Sequence, residues 1–557
     1  MHFEYKILTL ISRWIICLFL AATLLNPLIV YFRGVSVTAP SAKPQANMQI
    51  LLIPLDSRPP CRDFPGQLAA IANIKVIIPP PGYLDHYNQP GDVKALANWL
   101  SVVGPSADAV VVSIDQLMHG GLLASRLPAG KRSDAEQVLS LLTRFHQENP
   151  HIPLYAFNII PRLLLADTAE NQPYKPAMAT YSALTDRLSL ADNSNEREQL
   201  TQLENIIPLD IRTRYRDMYA TNLWLGQQLI ALAESGVLQH VVLGQDDASP
   251  YGMANMNKRG LQVWAKDLPA QDRFSITRGT DEIAATLLAK LAAEQSGFKP
   301  RIYVKYSWPG ASRIIMPYMP SSVEETVNEK IALVNGSQVQ SPAEADFILY
   351  LHIGTPQTPP AVMQHAAREI AQYLQAGQAV SLVDLSQLYD KEKNLFPFLA
   401  KSHIPLSRLV SYNGWNTTSN SVGTAVAHAV LYTYGRQTDR LQEEKHYAYL
   451  FQRFLDDWYY QKNVQPELNY YLTKKNIAPA DLRDHYTIVN LFVQKKLSFA
   501  ADSLYARYFR GKLDGNRRIS YLGYKIQLPW PRTFEVQLDV SDTITPPVPA
   551  KGGRQDL

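Results

Sequence analysis

Short apolar runs alternate with segments of helical period along most of the chain past residue 47. The runs are continuous and rich in Val and Ile, which is typical of strands buried on both faces of a parallel sheet. Helical segments between successive strands favour parallel connections. The runs in the first half are MQILLIPLD (48–56), IKVIIPP (74–80), ADAVVVSID (107–115), IPLYAFNIIPR (152–162) and HVVLGQDD (240–247).

A second series of the same kind begins near residue 274, and the last part of the chain differs from both. Its strand-like runs are RIYVKYS (301–307), ADFILYLHIG (345–354) and AVSLVDLS (379–386). From about residue 438 the chain is largely helical and aromatic, and it ends in two strand-like runs. We predict an α/β fold with two Rossmann-like, doubly wound parallel-sheet units and a mainly helical C-terminal region with terminal strands. The predicted domains are 48–273, 274–437 and 438–557.

The N-terminus carries a longer apolar run. Residues 14–32, WIICLFLAATLLNPLIVYF, contain no charged side chain and are numerous enough to cross a bilayer as a helix. Lys6 and Arg13 precede the run, so the positive-inside rule leaves residues 1–13 in the cytoplasm. We predict a single-pass anchor in the inner (cytoplasmic) membrane, a linker over 33–47, and a soluble part in the periplasm or outside. The alternative is a cleaved signal peptide.

Composition narrows the classes of function. With 557 residues, of which 46% are hydrophobic and 19% charged, the chain is globular and long enough for two or three domains. The formal net charge is +4 and no dense basic stripe occurs, so nucleic acid is not an expected partner. The two cysteines, Cys17 and Cys61, cannot form a disulfide within the soluble part or a cysteine-based metal cluster.

Polar side chains follow four of the five apolar runs in the first half, at the point where each strand ends. In open parallel sheets, ligands bind beyond the carboxyl ends of the strands, which lie along one edge. We expect Asp56, Asp115 and Asp246 to converge there. The other residues at these strand ends are Arg58, Asn158, Arg162, Gln245 and Asp247. The alternative is that each residue only caps a helix or forms a turn.

A second polar cluster lies in SYNGWNTTSNSVGTAVAHAV, residues 411–430. Asn413, Trp415 and Asn416 crowd a glycine-marked turn before a helix of small residues. An indole face covers the C–H groups of a sugar ring and amides bind its hydroxyls, so we predict that these side chains bind a sugar. The alternative is a helix cap with Trp415 in the core.

Five segments together resemble a bacterial family, domain of unknown function 4127. They are LLIPLDSRPP, SIDQLMHGGLLASR, FNIIPR, LGQDDASPYG and YNGWNTTSNSVGTAVA, and the resemblance covers roughly residues 48–540. No settled activity comes with this family. The resemblance therefore implies a family domain over nearly all of the soluble chain, but no mechanism.

The residues at the strand ends favour a carbohydrate-active hydrolase, and specifically a glycosidase-like enzyme with paired aspartates. Glycosidases use two carboxyl groups, one as acid and one as base or nucleophile. The predicted catalytic residues are Asp246, Asp56, Asp115 and Asp247. The predicted substrate-binding residues are Arg58, Asn158, Arg162, Gln245, Asn413, Trp415 and Asn416.

Two other functions stay open. A metal-dependent hydrolase would use the aspartates as ligands, and Mg²⁺ or Ca²⁺ would suit such an oxygen-rich site. The spacing does not demand a metal and the nearby arginines disfavour one, so we predict no cofactor. A non-catalytic envelope or solute-binding protein is the third interpretation.

The adjacent acids Asp246 and Asp247 invite a more specific prediction. Neighbouring side chains in an extended segment point to opposite sides. We expect Asp246 to face the ligand and Asp247 to brace the loop. A turn beginning at Gly244 would exchange these roles.

Overall fold

Three sheets and a large set of helices make up the part of the chain that the structure describes. The structure is a computed structural model, and it describes residues 48–127, 132–166, 168–386, 391–402, 404, 406–511 and 518–545. The strands are β1 (Met48–Ile53), β2 (Ile74–Ile77), β3 (Ala109–Ser113), β4 (Leu154–Ile160), β5 (His240–Gln245), β6 (Phe274–Arg278), β7 (Arg301–Tyr306), β8 (Ser337–Gln338), β9 (Phe347–Gly354), β10 (Val380–Ser386), β11 (Ser411–Asn413), β12 (Arg518–Gln527) and β13 (Gln537–Thr545).

The helices fill the connections between these strands. They are α1 (Pro59–Ile71), α2 (Val93–Val103), α3 (Ile114–His119), α4 (Leu122–Ser125), α5 (Arg132–Glu148), α6 (Lys175–Leu190), α7 (Ser194–Ile206), α8 (Leu209–Glu234), α9 (Met253–Ala265), α10 (Ile283–Ser296), α11 (Val323–Leu333), α12 (Pro360–Gln375), α13 (Phe396–Lys401), α14 (Thr418–Gln437), α15 (Glu443–Arg453), α16 (Gln465–Lys474) and α17 (Tyr486–Leu504). Two π-helical segments, Phe454–Val464 and Tyr505–Phe509, follow α15 and α17.

Both large sheets are parallel throughout and share one connectivity. The first has the order β2-β1-β3-β4-β5-β6 and the second the order β11-β10-β9-β7-β8. Counted within each sheet, the strands run 2-1-3-4-5, which is the flavodoxin-like winding, and β6 adds a sixth strand at the edge of the first sheet. The two predicted parallel-sheet units are therefore confirmed. The strand order reverses between β1 and β3 in one sheet and between β7 and β9 in the other, and such switch points are where ligands bind.

The first sheet takes a strand that we expected in the second unit. β6 pairs with β5 from Val241–Phe274 to Gln245–Arg278, although the predicted boundary lay between residues 273 and 274. Its sequence FSITR shows no long apolar run because an edge strand is only partly covered. The loop after β6 thus belongs to the first sheet's carboxyl edge.

One hydrophobic core joins the two sheets. It contains Ile50 and Leu52 of β1 together with Leu349 and Leu351 of β9. Helices α10 and α14 lie in this core and are buried almost all round, which explains their small and apolar residues. Gly423 lets α14 approach α10 closely, since an added Cβ would lie 2.3 Å from Glu282 Cγ.

The C-terminal region contacts the carboxyl edge of the first sheet. The Trp530 indole donates to Ser57 Oγ over 3.1 Å, and the Tyr87 hydroxyl donates to the Ala480 carbonyl over 2.6 Å. Residues from beyond α16 therefore help to wall the space above that edge. Ala46–Leu557 form a compact unit by themselves.

The predicted anchor, residues 14–32, lies outside the described residues. Among those that are described, no helix combines the length and the apolar character needed to span a membrane.

Candidate functional site

A cleft of about 360 Å³ opens at the carboxyl edge of the first sheet, beside its switch point. Its walls come from the connections after β2, β3 and β4 and from the C-terminal region. The lining residues with polar side chains include Asp85, Tyr87, Arg126, Arg162 and Arg532. Of the predicted strand-end residues, Arg162 is the one that lines this cleft.

A buried ion-pair network lies at the end of β1. Arg58 donates to Asp56 Oδ2 over 2.6 Å and to Asp281 Oδ1 over 2.7 Å, and all three side chains are buried. Asn420 adds a hydrogen bond to Asp281 Oδ2 over 3.3 Å. This network ties β1, the loop after β6 and the start of α14 together. Both acids are engaged by the same guanidinium, which suits a positioning role better than direct chemistry.

Asp246 is also held by several partners. Its Oδ2 accepts from Arg126 over 2.5 Å, and its Oδ1 accepts from the Asp247 backbone N–H over 2.8 Å and from Thr280 over 3.4 Å. Burial alone would raise the pKa of Asp246, but Arg126 and Arg162 outweigh it and hold the pKa below the usual value. Asp246 is therefore an ionised brace beneath the cleft.

Asp247 differs from Asp246 both in its hydrogen bonds and in the direction of its pKa shift. It is half-buried, and within the described part of the chain its carboxyl accepts no hydrogen bond of its own. Burial and the neighbouring Asp246 raise its pKa to about 7, although Arg126 and Arg162 lower it in part. Neither acid is among the residues that line the cleft, but both act electrostatically on Arg162, which does. Asp246, which we expected to face the ligand, is the more firmly held of the two acids. Strand alternation does not apply here, because β5 ends at Gln245, so the two acids lie in a turn rather than in an extended segment.

Asp85 is a further acid of the cleft wall. Its Oδ1 accepts from the Ser57 backbone N–H over 2.8 Å. Its Oδ2 is buried and has no hydrogen-bond partner among the described residues. Burial and the nearby Asp56 raise the pKa of Asp85 to about 8, so the group is mainly protonated at neutral pH.

Three arginines line the cleft, of which Arg532 pairs with Glu535 and the other two lie close to Asp246. Arg126 pairs with Asp246, while its buried Nε has no hydrogen-bond partner within the described segments. Arg162 donates to the carbonyls of Leu164 and Leu165. Burial and the like charge of Arg126 lower the pKa of Arg162 to about 10. The carboxylates of Asp246 and Asp247 offset part of this repulsion, because they raise the pKa of Arg162.

Asp115 and Asn158 converge as predicted in position but face a different space. Both line a small cavity of about 30 Å³, which is room for one water and not for a sugar ring. Asp115 accepts from the Ile159 backbone N–H over 2.9 Å, which ties β3 to β4. Burial raises the pKa of Asp115 to about 7.

Gln245 is directed away from the cleft. Its amide donates to Asn255 over 2.5 Å, and it lines a separate cavity of about 170 Å³ with Lys258 and Arg278. The predicted role of Gln245 in the same binding site is therefore not supported by its position.

The predicted sugar-binding cluster is mostly interior. Trp415 is 3% exposed, and its ring packs edge-on against Phe64 at 6.1 Å, so it offers no open face to a sugar. Asn413 is fully buried, and Asn416 is half-buried in the left-handed region with φ of 52°. The apolar side of α1 covers the indole, which matches the alternative of a core tryptophan. The same segment contacts the ion-pair network at the end of β1 through the hydrogen bond from Asn420 to Asp281.

The profile of a family described as protein of unknown function (DUF4127) matches residues 50–539. The chain belongs to this family. The family predicted from the five sequence segments is confirmed. No curated protein and no solved structure matches the chain. The chemistry of this DUF4127 protein must therefore be derived from its own geometry.

Sequence reasoning assigned no role to three residues of this site. Asp85 lies eight residues past the end of β2, the one run that has no polar side chain directly after it. Asp281 lies past the expected domain boundary. Arg126 stands in the motif after β3, yet only the fold brings it to Asp246. The available signal was the turn-rich segment PPPGYLDHYNQPG, which is long for a plain connection.

A metal fits this network poorly. Ligand atoms of Asp56, Cys61 and Asp281 lie within 4.8 Å of one another. The Arg58 guanidinium already lies between the two carboxylates, where a cation would need to bind. Burial and the acids raise the pKa of Cys61 well above its usual value, so the thiol stays protonated and is a weak ligand.

We therefore expect millimolar Mg²⁺ or Ca²⁺ to leave the melting temperature of the DUF4127 protein unchanged. The physical reason is that binding would have to displace a buried, doubly paired guanidinium. Thermal unfolding with each ion and with a chelator measures this. A saturable rise in melting temperature that Asp281→Asn removes would show that a metal site exists here.

Proposed function

We propose that the protein is a glycosidase-like hydrolase that acts on an anionic glycan in the cleft at the first sheet's carboxyl edge. The observation that carries this proposal is the pair of unsatisfied buried groups in the cleft wall. Asp85 Oδ2 and Arg126 Nε both lack partners in the described part of the chain, and both residues line the cleft. Native proteins rarely leave such groups unpaired, so a ligand is the natural partner.

Asp85 supplies the acid. Because its pKa is raised to about 8 by burial and by Asp56, it retains a proton at neutral pH. A protonated Oδ2 at the cleft wall can donate to the oxygen of a glycosidic bond as that bond breaks. Gly121 permits this placement, since its φ is 124° and an added Cβ would lie 2.9 Å from Asp85 Cγ.

Asp247 supplies the base or nucleophile. Its pKa of about 7 lies below that of Asp85, so in the interval between them Asp247 is ionised while Asp85 is protonated. Its carboxylate removes a proton from the water that attacks the anomeric carbon, or attacks that carbon directly before water releases the sugar. In either form, Asp85 donates its proton to the leaving oxygen.

Arg126 and Arg162 select the substrate. Both guanidinium groups line the cleft, where Arg126 pairs with Asp246 and Arg162 donates to the carbonyls of Leu164 and Leu165. Guanidinium groups bind carboxylates and phosphates with directed hydrogen bonds, so the glycan that fits best carries such a group next to the cleaved bond.

Asp56, Asp115 and Asp246 act by positioning in this proposal. Asp56 raises the pKa of Asp85 and fixes Arg58, Asp246 orients Arg126, and Asp115 joins β3 to β4. The proposal also keeps the enzyme on the outer side of the cytoplasmic membrane, held through residues 14–32. That part rests on the sequence of the run and on the positive-inside rule.

A panel of uronate-, phosphate- and lactate-bearing glycans in water enriched in oxygen-18 tests the proposal. Mass spectrometry should find a cleaved product with one heavy oxygen at the new reducing end. Neutral analogues of the cleaved glycan should react far more slowly. Cleavage without heavy oxygen would indicate elimination instead of hydrolysis. Products formed equally from neutral analogues would remove the role of Arg126 and Arg162.

A further inference from the structure

The solvent-facing side of helix α17, in the C-terminal region, is apolar. Such helix surfaces are normally polar. Val489 and Leu497 bury the inner side of α17, and the opposite side exposes large apolar side chains. These exposed residues are Ile488, Leu491, Phe492 and Phe499. Phe499 is 80% exposed, which is unusual for a phenylalanine.

The neighbouring helix α16 extends the same surface. Tyr470 and Tyr471 are exposed, and they lie one turn after Glu467. Glu467 pairs with Lys496 of α17 over 3.2 Å, which links the two helices at the surface. The four exposed residues of α17 and the two tyrosines of α16, on helices linked by this ion pair, are here called the C-terminal apolar face.

Lysines are interleaved with this face. Lys474 Nζ lies 5.4 Å from the Tyr470 ring, and Lys496 Nζ lies 5.4 Å from the Phe492 ring. Lys475 and Lys495 are exposed nearby. Aromatic and apolar side chains mixed with lysines are the composition that inserts into the headgroup region of a bilayer.

The acids near this face are largely engaged with other groups. Glu467 is paired with Lys496, and Asp502 accepts from the Tyr524 hydroxyl over 2.7 Å. Asp484 lies at the start of α17 and is exposed. The lysines therefore leave a positive balance at the face, which complements a negatively charged surface.

We infer that the C-terminal apolar face docks on the surface of a membrane that contains anionic phospholipid. The apolar residues enter the headgroup region while the lysines contact lipid phosphates. The segment between α16 and α17 contributes Ala480 to the wall of the cleft. Docking would therefore bring the cleft next to the membrane, where a glycan attached to lipid or close to the bilayer is within reach.

The test uses the chain from residue 46, which is a compact unit and contains the described hydrophobic cores. This protein is mixed with vesicles of phosphatidylcholine, either alone or with phosphatidylglycerol, and separated by flotation. We expect binding to the phosphatidylglycerol vesicles that weakens as salt is added. The double variant Leu491→Glu/Phe499→Glu should lower the partition coefficient by at least about tenfold.

A matched control is Val263→Glu, because Val263 is 75% exposed on α9, outside the C-terminal apolar face. It should bind vesicles as the unaltered protein does, and both variants should keep its melting temperature. Absence of vesicle binding, or equal binding by the double variant, would overturn the inference. Sedimentation that shows a dimer broken by the double variant, without lipid binding, would assign the face to self-association instead. None of these variants touches the cleft, so the outcome is independent of the proposed hydrolysis.

Discussion

Replacement of Arg58 by methionine should lower the free energy of unfolding by about 3–5 kcal/mol, the range for removing one partner of a buried ion pair. The variant leaves Asp56 and Asp281 buried without their shared guanidinium. Chemical denaturation with urea measures the loss. Arg62→Met is the matched control, since Arg62 lies in helix α1, which follows Arg58, and pairs with its neighbour Asp63 at a partly exposed position. It should cost at most about 1 kcal/mol.

The loss of unfolding free energy caused by Arg58→Met should depend on pH. Burial already raises the pKa of Asp281 to about 6, and Arg58 is the largest influence that lowers it. Without Arg58 the pKa rises further, so the folded variant holds protons that the unfolded chain releases. The free energy of unfolding of the variant is thus closest to that of the unaltered protein in acid, and it falls further below that value as the pH rises. An equal deficit at pH 5 and pH 8 would contradict this account of the network.

Asp85→Asn and Asp247→Asn should each lower kcat/KM by about 10²–10⁴-fold, the usual contribution of a general acid or base. Both changes remove a carboxyl whose pKa is raised by burial, so the melting temperature should stay the same or rise. Initial rates on the glycan found in the panel, together with thermal unfolding, measure both effects.

Two further variants serve as comparisons for Asp85→Asn and Asp247→Asn. Asp63→Asn changes a half-buried acid of α1 that lines a groove away from the cleft, and it should keep full activity. Asp246→Asn should lose stability, because it leaves Arg126 without its ion pair. Should Asp247→Asn keep full activity while Asp246→Asn loses activity without unfolding, the roles would be those first predicted from the sequence.

The sheet units could be predicted from the sequence because a strand buried on both faces needs a continuous apolar run. Runs such as AVVVS in β3 and FILYLHIG in β9 meet this condition and are buried throughout. β6 failed the same criterion, since an edge strand is only partly covered. The strand order that the two sheets share could not be predicted from the sequence either, because it depends on how helices such as α10 and α14 pack between the sheets.

The site could be predicted only in part, for a related reason. Asp56 and Asp246 follow strands directly, so the parallel geometry fixes their position. Asp85 and Arg126 lie in connections whose path depends on tertiary packing, and Trp415 beside three polar residues has the composition of either a sugar platform or a buried cap. Only the contact between Trp415 and Phe64 in the structure shows that Trp415 is a core residue.

The most direct test of the central claim is the pH dependence of kcat/KM on the cleaved anionic glycan. Asp247 must be ionised and Asp85 protonated, and their pKa values are about 7 and about 8. We predict a bell-shaped profile with its maximum between these values, an acid limb that Asp247→Asn abolishes and an alkaline limb that Asp85→Asn abolishes. A profile that stays flat from pH 5 to pH 10, or that keeps both limbs in the two variants, would contradict the assignment of these aspartates as the reacting pair.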